Sequence, residues 1–268
     1  MKVQVRFAVV CLLLWVWMLA LPNLAWAGGL QVSPTRFEFN LERKFNNFFT
    51  LANTGDKPLH IKIYPSLVMM GKNNTLVEIQ NSPFDLSSYL VFSPRSVTLQ
   101  PGQRRIIRFT VRPPDNLAAG EYRTVVFFEE LPGPDEAPRF TKGKKLGVDL
   151  TLLTRIGVPL YGMMGAKTQE VIFEKGAAER QKGTLSVGGR FVNKGNAHVQ
   201  IDVDARLLGP GDKLVAQKLE KLFLQRDQKQ DWAMEAPVNA GGNYQLVIKA
   251  KAGDALLVDQ TYPYNLER

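Results

Sequence analysis

Apolar residues alternate with other residues along one long stretch, positions 146–161, LGVDLTLLTRIGVPLY. Successive side chains of a β-strand point to opposite faces, so a period of two places one continuous apolar row on a single face. Every second position is apolar except Thr154, and the other face is mostly small or polar. The apolar positions are Leu146, Val148, Leu150, Leu152, Ile156, Val158 and Leu160. Two interpretations stay open: a long core strand, or an edge strand that lends its apolar row to a partner.

Short strands and turns fill almost all of residues 31–162. Alternating apolar residues predict strands at 59–64 and 106–111, and β-branched and aromatic residues predict another at 122–130. Asn53-Thr54-Gly55 is a turn, because Asn and Gly tolerate a positive φ. About seven or eight such strands, with turn signals roughly every ten residues, are typical of an antiparallel β-sandwich of immunoglobulin type.

The second half of the chain repeats the pattern of the first. Residues 189–203 contain a strand, an Asn-x-Gly turn and an alternating strand, as residues 49–63 do. Residues 162–165 include two glycines and predict a hinge between the halves. The predicted architecture is all-β, with two tandem immunoglobulin-like β-sandwich domains at residues 28–162 and 163–268.

One stretch of the second half, residues 215–224, has an ambiguous pattern. Its apolar residues Val215, Leu219, Leu222 and Phe223 fit one face of a helix. Two short strands fit the same residues, so both interpretations stay open.

The first 27 residues have the features of a secretory signal peptide. Lys2 and Arg6 precede an apolar run from Phe7 to Leu21, and Ala25-Trp26-Ala27 has the form of a cleavage site. The apolar run is shorter than the about 20 residues that a membrane helix needs. We therefore predict that residues 1–27 are removed and that the mature protein is exported, with a single-pass membrane anchor as the alternative.

Cysteine content and charge limit the possible functions. Cys11 is the only cysteine, and it lies within the predicted signal. The mature chain therefore has no thiol for catalysis, for cysteine-based metal sites or for iron–sulfur clusters. Without Lys2 and Arg6 the net charge of +9 falls to +7. This charge fits a negatively charged partner or membrane surface, or simply a solvated surface. An exported chain is not expected to bind nucleic acid.

No combination of residues predicts an enzyme, a cofactor, a metal site or a small-molecule substrate. His60 and His198 lie one in each predicted domain, at equivalent positions beside the Asn-x-Gly turns, and have no metal-binding spacing. Two arginines beside strand edges, Arg36 and Arg155, need a carboxylate or carbonyl partner. That partner is either another molecule or an internal salt bridge.

Several short motifs follow one another in order through residues 30–162. They are Val32-Ser33-Pro34-Thr35-Arg36, Asn53-Thr54-Gly55, Ser93-Pro94, Leu99-Gln100-Pro101-Gly102-Gln103 with Arg108, Leu131-Pro132, and Val148-x-Leu150-x-Leu152 followed by Thr154-Arg155-Ile156. In this order and spacing they resemble the periplasmic chaperones of pilus assembly, the chaperone–usher family. Two immunoglobulin-like domains in one exported chain also agree with that family.

The resemblance implies that strand 146–161 is a donor strand. In the family, the chaperone lends this strand to a pilus subunit that lacks its own last strand, a form of β-strand addition. The implied donor row is Leu146, Val148, Leu150 and Leu152. The implied partner is a pilus or fimbrial subunit protein, and an outer-membrane usher is compatible with the resemblance.

The resemblance also implies a site for the subunit's C-terminal carboxylate. The family holds it with an arginine on the first strand, which matches Arg36, and a lysine on the seventh, whose position is Gly157 here. We expect Arg155, two residues earlier on the same face, to replace that lysine. The family's Asp-Arg-Glu-Ser before the sixth strand is replaced here by Gly120-Glu121-Tyr122-Arg123.

Two hypotheses for the function follow. The first is a periplasmic chaperone that binds exported pilus or surface-fibre subunits by donor-strand complementation and delivers them for assembly. The second is a structural or adhesive cell-envelope protein made of two immunoglobulin-like modules, in which the long strand is fully paired within the first domain.

Overall fold

The computed structural model describes residues 29–70, 75–133, 152–238 and 241–266. The predicted signal peptide lies outside these residues. Among the residues described, no helix is both long and apolar enough to cross a membrane. The regular structure described is almost entirely β-strand, with 3₁₀ turns at Ser87–Tyr89 and Pro210–Asp212.

The first ten strands form one pair of sheets. They are β1 (Leu30–Ser33), β2 (Phe37–Asn40), β3 (Phe45–Asn53), β4 (Leu59–Met70), β5 (Leu76–Ile79), β6 (Leu90–Ser93), β7 (Ser96–Leu99), β8 (Arg104–Val111), β9 (Gly120–Leu131) and β10 (Arg155–Met164). One sheet has the order β1-β3-β8-β6; the other has β2-β10-β9-β4-β5, with β7 also paired to β4. Strands β2 and β10 are parallel, and the other pairs of these sheets are antiparallel.

Aromatic side chains join these two sheets. Phe49 of β3, Phe109 of β8 and Phe128 of β9 are buried. The ring centroid of Phe49 lies 4.8 Å from that of Phe109 and 5.1 Å from that of Phe128. Each buried phenylalanine contributes on the order of 1.5–3 kcal/mol through removal of its surface from water. The core of the first half is therefore a sandwich core, as the alternating pattern predicted.

The remaining strands form a second pair of sheets. They are β11 (Val171–Lys175), β12 (Glu179–Gln181), β13 (Thr184–Asn193), β14 (Val199–Gly209), β15 (Lys213–Leu224), β16 (Lys229–Pro237), β17 (Gly242–Ala252) and β18 (Ala255–Leu266). One sheet contains β11, β13, β12 and β16, and the other has the order β15-β14-β17-β18. The predicted boundary between residues 162 and 163 stays a prediction, and β10 itself continues to Met164.

The ambiguous stretch 215–224 is part of a single strand, β15. Leu222 is buried, whereas Leu219 is 71% exposed. The two side chains therefore do not share one buried helical face, and the helical interpretation is wrong. The interpretation as two short strands is also wrong, because Lys213–Leu224 is one strand that pairs with β14 at both ends, with a register shift beside Val215.

Each half contains the same asparagine-centred turn. In the first half, the side-chain amide of Asn53 donates to the backbone oxygens of Lys57 (2.7 Å) and Leu99 (3.0 Å). Its Oδ1 accepts the N–H of Gly55 at 2.9 Å. Buried polar groups of a turn need such partners. The predicted repeat of the Asn-x-Gly turn is thus confirmed, and its reason is hydrogen bonding of the turn backbone.

The matching turn of the second half supplies a stability test. Asn193 donates to the backbone oxygens of Ala197 (2.8 Å) and Gln225 (3.0 Å) and accepts the N–H of Gly195. Asn193→Ala leaves these buried groups without partners, so we expect a loss of about 1–3 kcal/mol in unfolding free energy. Denaturant unfolding measures it. Asn243→Ala, at an exposed position, is the control and should cost less than about 0.5 kcal/mol; equal losses would contradict this role of Asn193.

Candidate functional site

The predicted donor strand contains a C-terminal part that belongs to the sandwich core and an N-terminal part that precedes strand β10. Strand β10 begins at Arg155, and the three residues before it have no regular structure. Val158 and Leu160 are buried in the sandwich core. Leu152 is 82% exposed. The donor-row residues Leu146, Val148 and Leu150 lie outside the described residues. The interpretation as a core strand therefore holds for Val158 and Leu160. Leu152 is the one residue of the predicted donor row that lies within the described part of the chain.

Among the described residues, strand β10 has an open edge over its first half. It pairs antiparallel with β9 from Arg155 to Met164. On its other side it pairs in parallel with β2, but this contact covers only Leu160 to Met163. Within the described residues, no strand pairs with that side of β10 from Arg155 to Pro159. The backbone groups on this side of residues 155–158 are thus placed to pair with an added strand.

Arg155 has an internal partner on the same sheet. Its Nη2 donates to Oε1 of Glu78 at 2.5 Å. Its guanidinium carbon lies 3.9 Å from the ring centroid of Phe127 and 5.5 Å from that of Tyr64. The hydrogen bond from Arg155 holds the pKa of Glu78 below its ordinary value. Arg155 is therefore oriented toward β4, β5 and β9.

Arg36 lies elsewhere, immediately before β2. Phe37 of β2 is opposite Leu160 of β10 in a parallel register, so Arg36 lies at the level of Pro159, four residues beyond Arg155. At roughly 3.3 Å per residue, the two arginine backbones are about 13 Å apart along the strand. The structure does not bring Arg36 and Arg155 together, so their joint role in binding one carboxylate stays a prediction.

The residue at the position of the family's lysine, Gly157, lies where a side chain has no room. A Cβ added there would come within 2.8 Å of Val125 Cγ1 and 2.9 Å of Phe127 Cε1. Phe127 is opposite Gly157 in the ladder and is itself buried. Glycine within a strand often marks such a close approach, and here Phe127 and Val125 fill the space.

Arg36 lies where the two halves of the chain meet. Its Nη2 donates to Oε1 of Glu38 at 2.6 Å and to Nε2 of His198 at 2.8 Å. Its guanidinium carbon is 4.5 Å from the ring centroid of Tyr161 and 5.5 Å from that of Phe223. The side chain is 39% exposed. Arg36 thus contacts residues of both halves and remains accessible to solvent. Both arginines of the predicted site have a carboxylate partner within the protein, Glu38 for Arg36 and Glu78 for Arg155.

His198 connects the halves through a buried carboxylate. It is 7% exposed, and Glu121 of β9 is 4% exposed. His198 Nδ1 hydrogen-bonds Oε2 of Glu121, and the His198 backbone N–H reaches Oε1 at 3.3 Å. The Glu121 backbone N–H in turn donates to the Asn196 oxygen at 2.8 Å. These contacts pair both ionisable groups at the junction, as buried groups require.

Two further arginines contribute to the same junction. Arg226, between β15 and β16, places its guanidinium carbon 3.5 Å from the ring centroid of Phe84. A Cβ added to Gly120, where φ is +134°, would come within 2.1 Å of Arg226 Nη1. Burial lowers the pKa of Arg123, the neighbour of this cluster on β9. The junction is therefore a mixed cluster of aromatic rings, cations and carboxylates.

His198 was not predicted from the sequence to lie beside Arg36. His60 and His198 were predicted to occupy equivalent positions, but His60 Nδ1 lies 3.0 Å from the Thr98 hydroxyl, on a strand of the first half. The pairing of His198 with Glu121 spans 77 residues, and no local pattern encodes such a pair. The available signal was the glutamate in Gly120-Glu121-Tyr122-Arg123, a departure from the family's pattern.

Comparison with known proteins identifies the fold. No protein-family model matches the chain, and a search of curated proteins finds no match. A chain from a chaperone–tip adhesin complex of CFA/I fimbriae biogenesis is 13% identical, with a TM-score of 0.51 over 87% of this chain and 98% of that chain.

Two other solved structures have lower scores. The class 5 fimbriae chaperone CfaA is 14% identical, with a TM-score of 0.47 over 90% of this chain and 100% of that one. A chain of the CsuC–CsuE chaperone–tip adhesion subunit complex, from the archaic chaperone–usher Csu pili of Acinetobacter baumannii, is 12% identical. Its TM-score is 0.45, over 87% of this chain and 97% of that one.

At these identities the likeness concerns the fold alone. The fold class predicted from the sequence, two tandem immunoglobulin-like β-sandwich domains, is confirmed. The predicted resemblance to pilus-assembly chaperones is confirmed at the level of this fold.

The packing at Gly157 can be tested by substitution. Gly157→Ala forces Phe127 and Val125 to move, and overpacking of this kind costs about 1–3 kcal/mol of unfolding free energy. Thermal and denaturant unfolding would measure the loss. Gly29→Ala is a matched control, because a Cβ there would meet nothing within 4 Å. If both variants were equally stable, packing against Phe127 would not be what excludes a side chain at residue 157.

Proposed function

We propose that this protein is a periplasmic chaperone that binds exported pilus or fimbrial subunits by donating strand 146–161. The observation that carries the proposal is the open edge of β10 from Arg155 to Pro159, directly after the exposed Leu152. The fold, shared with a chain of a fimbrial chaperone–adhesin complex, supports it. In this proposal the protein acts by binding and release, without cofactor or turnover.

Strand addition explains why an apolar row and an open edge occur together. The edge supplies backbone hydrogen bonds, each contributing about 0.5–1.5 kcal/mol net. Leu152 and the other donor-row residues would fill the groove of the subunit, at about 1.5–3 kcal/mol for each large side chain buried. An exposed leucine is unremarkable by itself. Leu152 supports the proposal because it lies three residues before the edge of β10 that has no strand partner among the described residues.

Arg36 is the better supported of the two predicted anchor residues. Its guanidinium is partly exposed at the junction, where an incoming C-terminal carboxylate can form charge-assisted hydrogen bonds. The bond from Arg155 to Glu78 directs its guanidinium to another part of the sheet. We therefore propose Arg36 as the carboxylate anchor and assign Arg155 no contact with the same carboxylate.

The competing hypothesis, a structural or adhesive module, expects the long strand to be fully paired within the first domain. Residues 155–159 of β10 have a partner on one side only among the described strands. The chaperone proposal accounts for this edge, and the structural hypothesis does not.

Leu152→Asp tests the proposal directly. A carboxylate cannot replace leucine in an apolar groove, so subunit capture should fall at least roughly tenfold while the chain still folds. The measurement is the amount of small exported subunit that co-purifies with the chain from a periplasmic extract.

The matched control for this experiment is Leu219→Asp, at a similarly exposed leucine on β15. Capture by the control should equal that of the wild type. Normal capture by Leu152→Asp, or equal loss in both variants, would count against donation of this strand.

A further inference from the structure

The His198 ring is held on its faces and at both of its nitrogens. Its centroid lies 5.2 Å from that of Phe223 in a stacked arrangement and 4.6 Å from that of Tyr161. Nδ1 contacts Glu121 and Nε2 contacts Arg36. A buried ring with both nitrogens engaged has little freedom to rotate, so the groups bonded to it are fixed relative to one another.

The two partners determine which nitrogen donates. A guanidinium only donates hydrogen bonds, so Nε2 of His198 accepts from Arg36 Nη2 at 2.8 Å. The ring hydrogen then lies on Nδ1 and points to the carboxylate of Glu121. The chain of contacts from Glu121 through His198 to Arg36 is therefore consistent in donors and acceptors.

The contacts of Arg36 with Glu38 and His198 leave part of its guanidinium available for a ligand. A guanidinium has five N–H donors in a fixed plane, and the contacts with Glu38 and His198 both use Nη2. The bond to His198 fixes the rotation of that plane over the Tyr161 ring. The N–H groups of Nη1, which take no part in these two contacts, can then donate to a carboxylate.

We propose that His198 is a positioning residue for the carboxylate anchor, so that the second half of the chain completes a site whose cation, Arg36, belongs to the first. This inference rests on the proposed function. In the simpler alternative, His198 and Glu121 only hold the halves together and do not influence Arg36. The alternative predicts a loss of stability without a specific loss of carboxylate recognition.

The experiment compares two probes. One is a synthetic peptide of alternating valine and threonine residues that ends in phenylalanine with a free carboxylate, and the other is the same peptide with a C-terminal amide. Wild-type protein should bind the carboxylate form more tightly. His198→Ala should reduce that preference about tenfold, as expected for one charge-assisted hydrogen bond, and should leave the affinity for the amide peptide unchanged.

Two further variants separate positioning from attachment of the halves. His198→Gln offers an oxygen to Arg36 and an N–H to Glu121, so it should restore most of the carboxylate preference. Arg36→Ala should abolish the preference, and adding His198→Ala to it should have no further effect, which a double-mutant cycle reports. Thermal unfolding of each variant confirms that the protein is folded under the assay conditions.

The outcomes distinguish this inference from the proposed function. Equal losses for both peptides in His198→Ala, or equal effects of that change with and without Arg36, would overturn the positioning role and leave the anchor at Arg36 intact. Wild-type protein that binds the carboxylate peptide no better than the amide, or not at all, would overturn the anchor itself and with it the role of His198.

Discussion

The ladder between β9 and β10 is the interaction on which the rest of the structure depends. It pairs Arg155 with Glu129 at one end and Met164 with Gly120 at the other. This register directs Val158 into the core, and a slip of one residue would turn it outward. The same ladder places at the sheet edge, after Leu152, the side of β10 that has no strand partner from Arg155 to Pro159 among the described residues. Core formation and the proposed strand donation therefore depend on one register.

Strand β9 also connects this ladder to the junction between the halves. Its first residues, Gly120 and Glu121, contact Arg226 and His198 of the second half. Its later residue Phe127 packs against Gly157 and Arg155. A single strand thus packs against β10 near one end and carries, at the other, the carboxylate that hydrogen-bonds His198.

Local pattern predicted the elements well, because alternation and turn chemistry are local properties. The strand at Val158 and Leu160, the Asn193 turn and the two-sandwich architecture all followed from it. Local pattern could not predict that Arg155 pairs with Glu78 or that His198 pairs with Glu121, because each pair joins residues 77 positions apart. It also could not show that Gly157 lies beneath Phe127. The fold could therefore be predicted from the sequence, whereas the contacts of Arg36, Arg155 and His198 depend on tertiary structure.

The most direct test of strand donation is a site-specific cross-link. The only natural cysteine, Cys11, lies in the predicted signal, so Leu152→Cys introduces the single thiol of the mature chain. In a complex with a captured subunit, a short thiol-reactive cross-linker at this position should join the two proteins through the subunit's open groove. Leu219→Cys, at another exposed leucine on the second half, should give no product. Cross-linking at residue 219 but not at residue 152 would contradict strand donation.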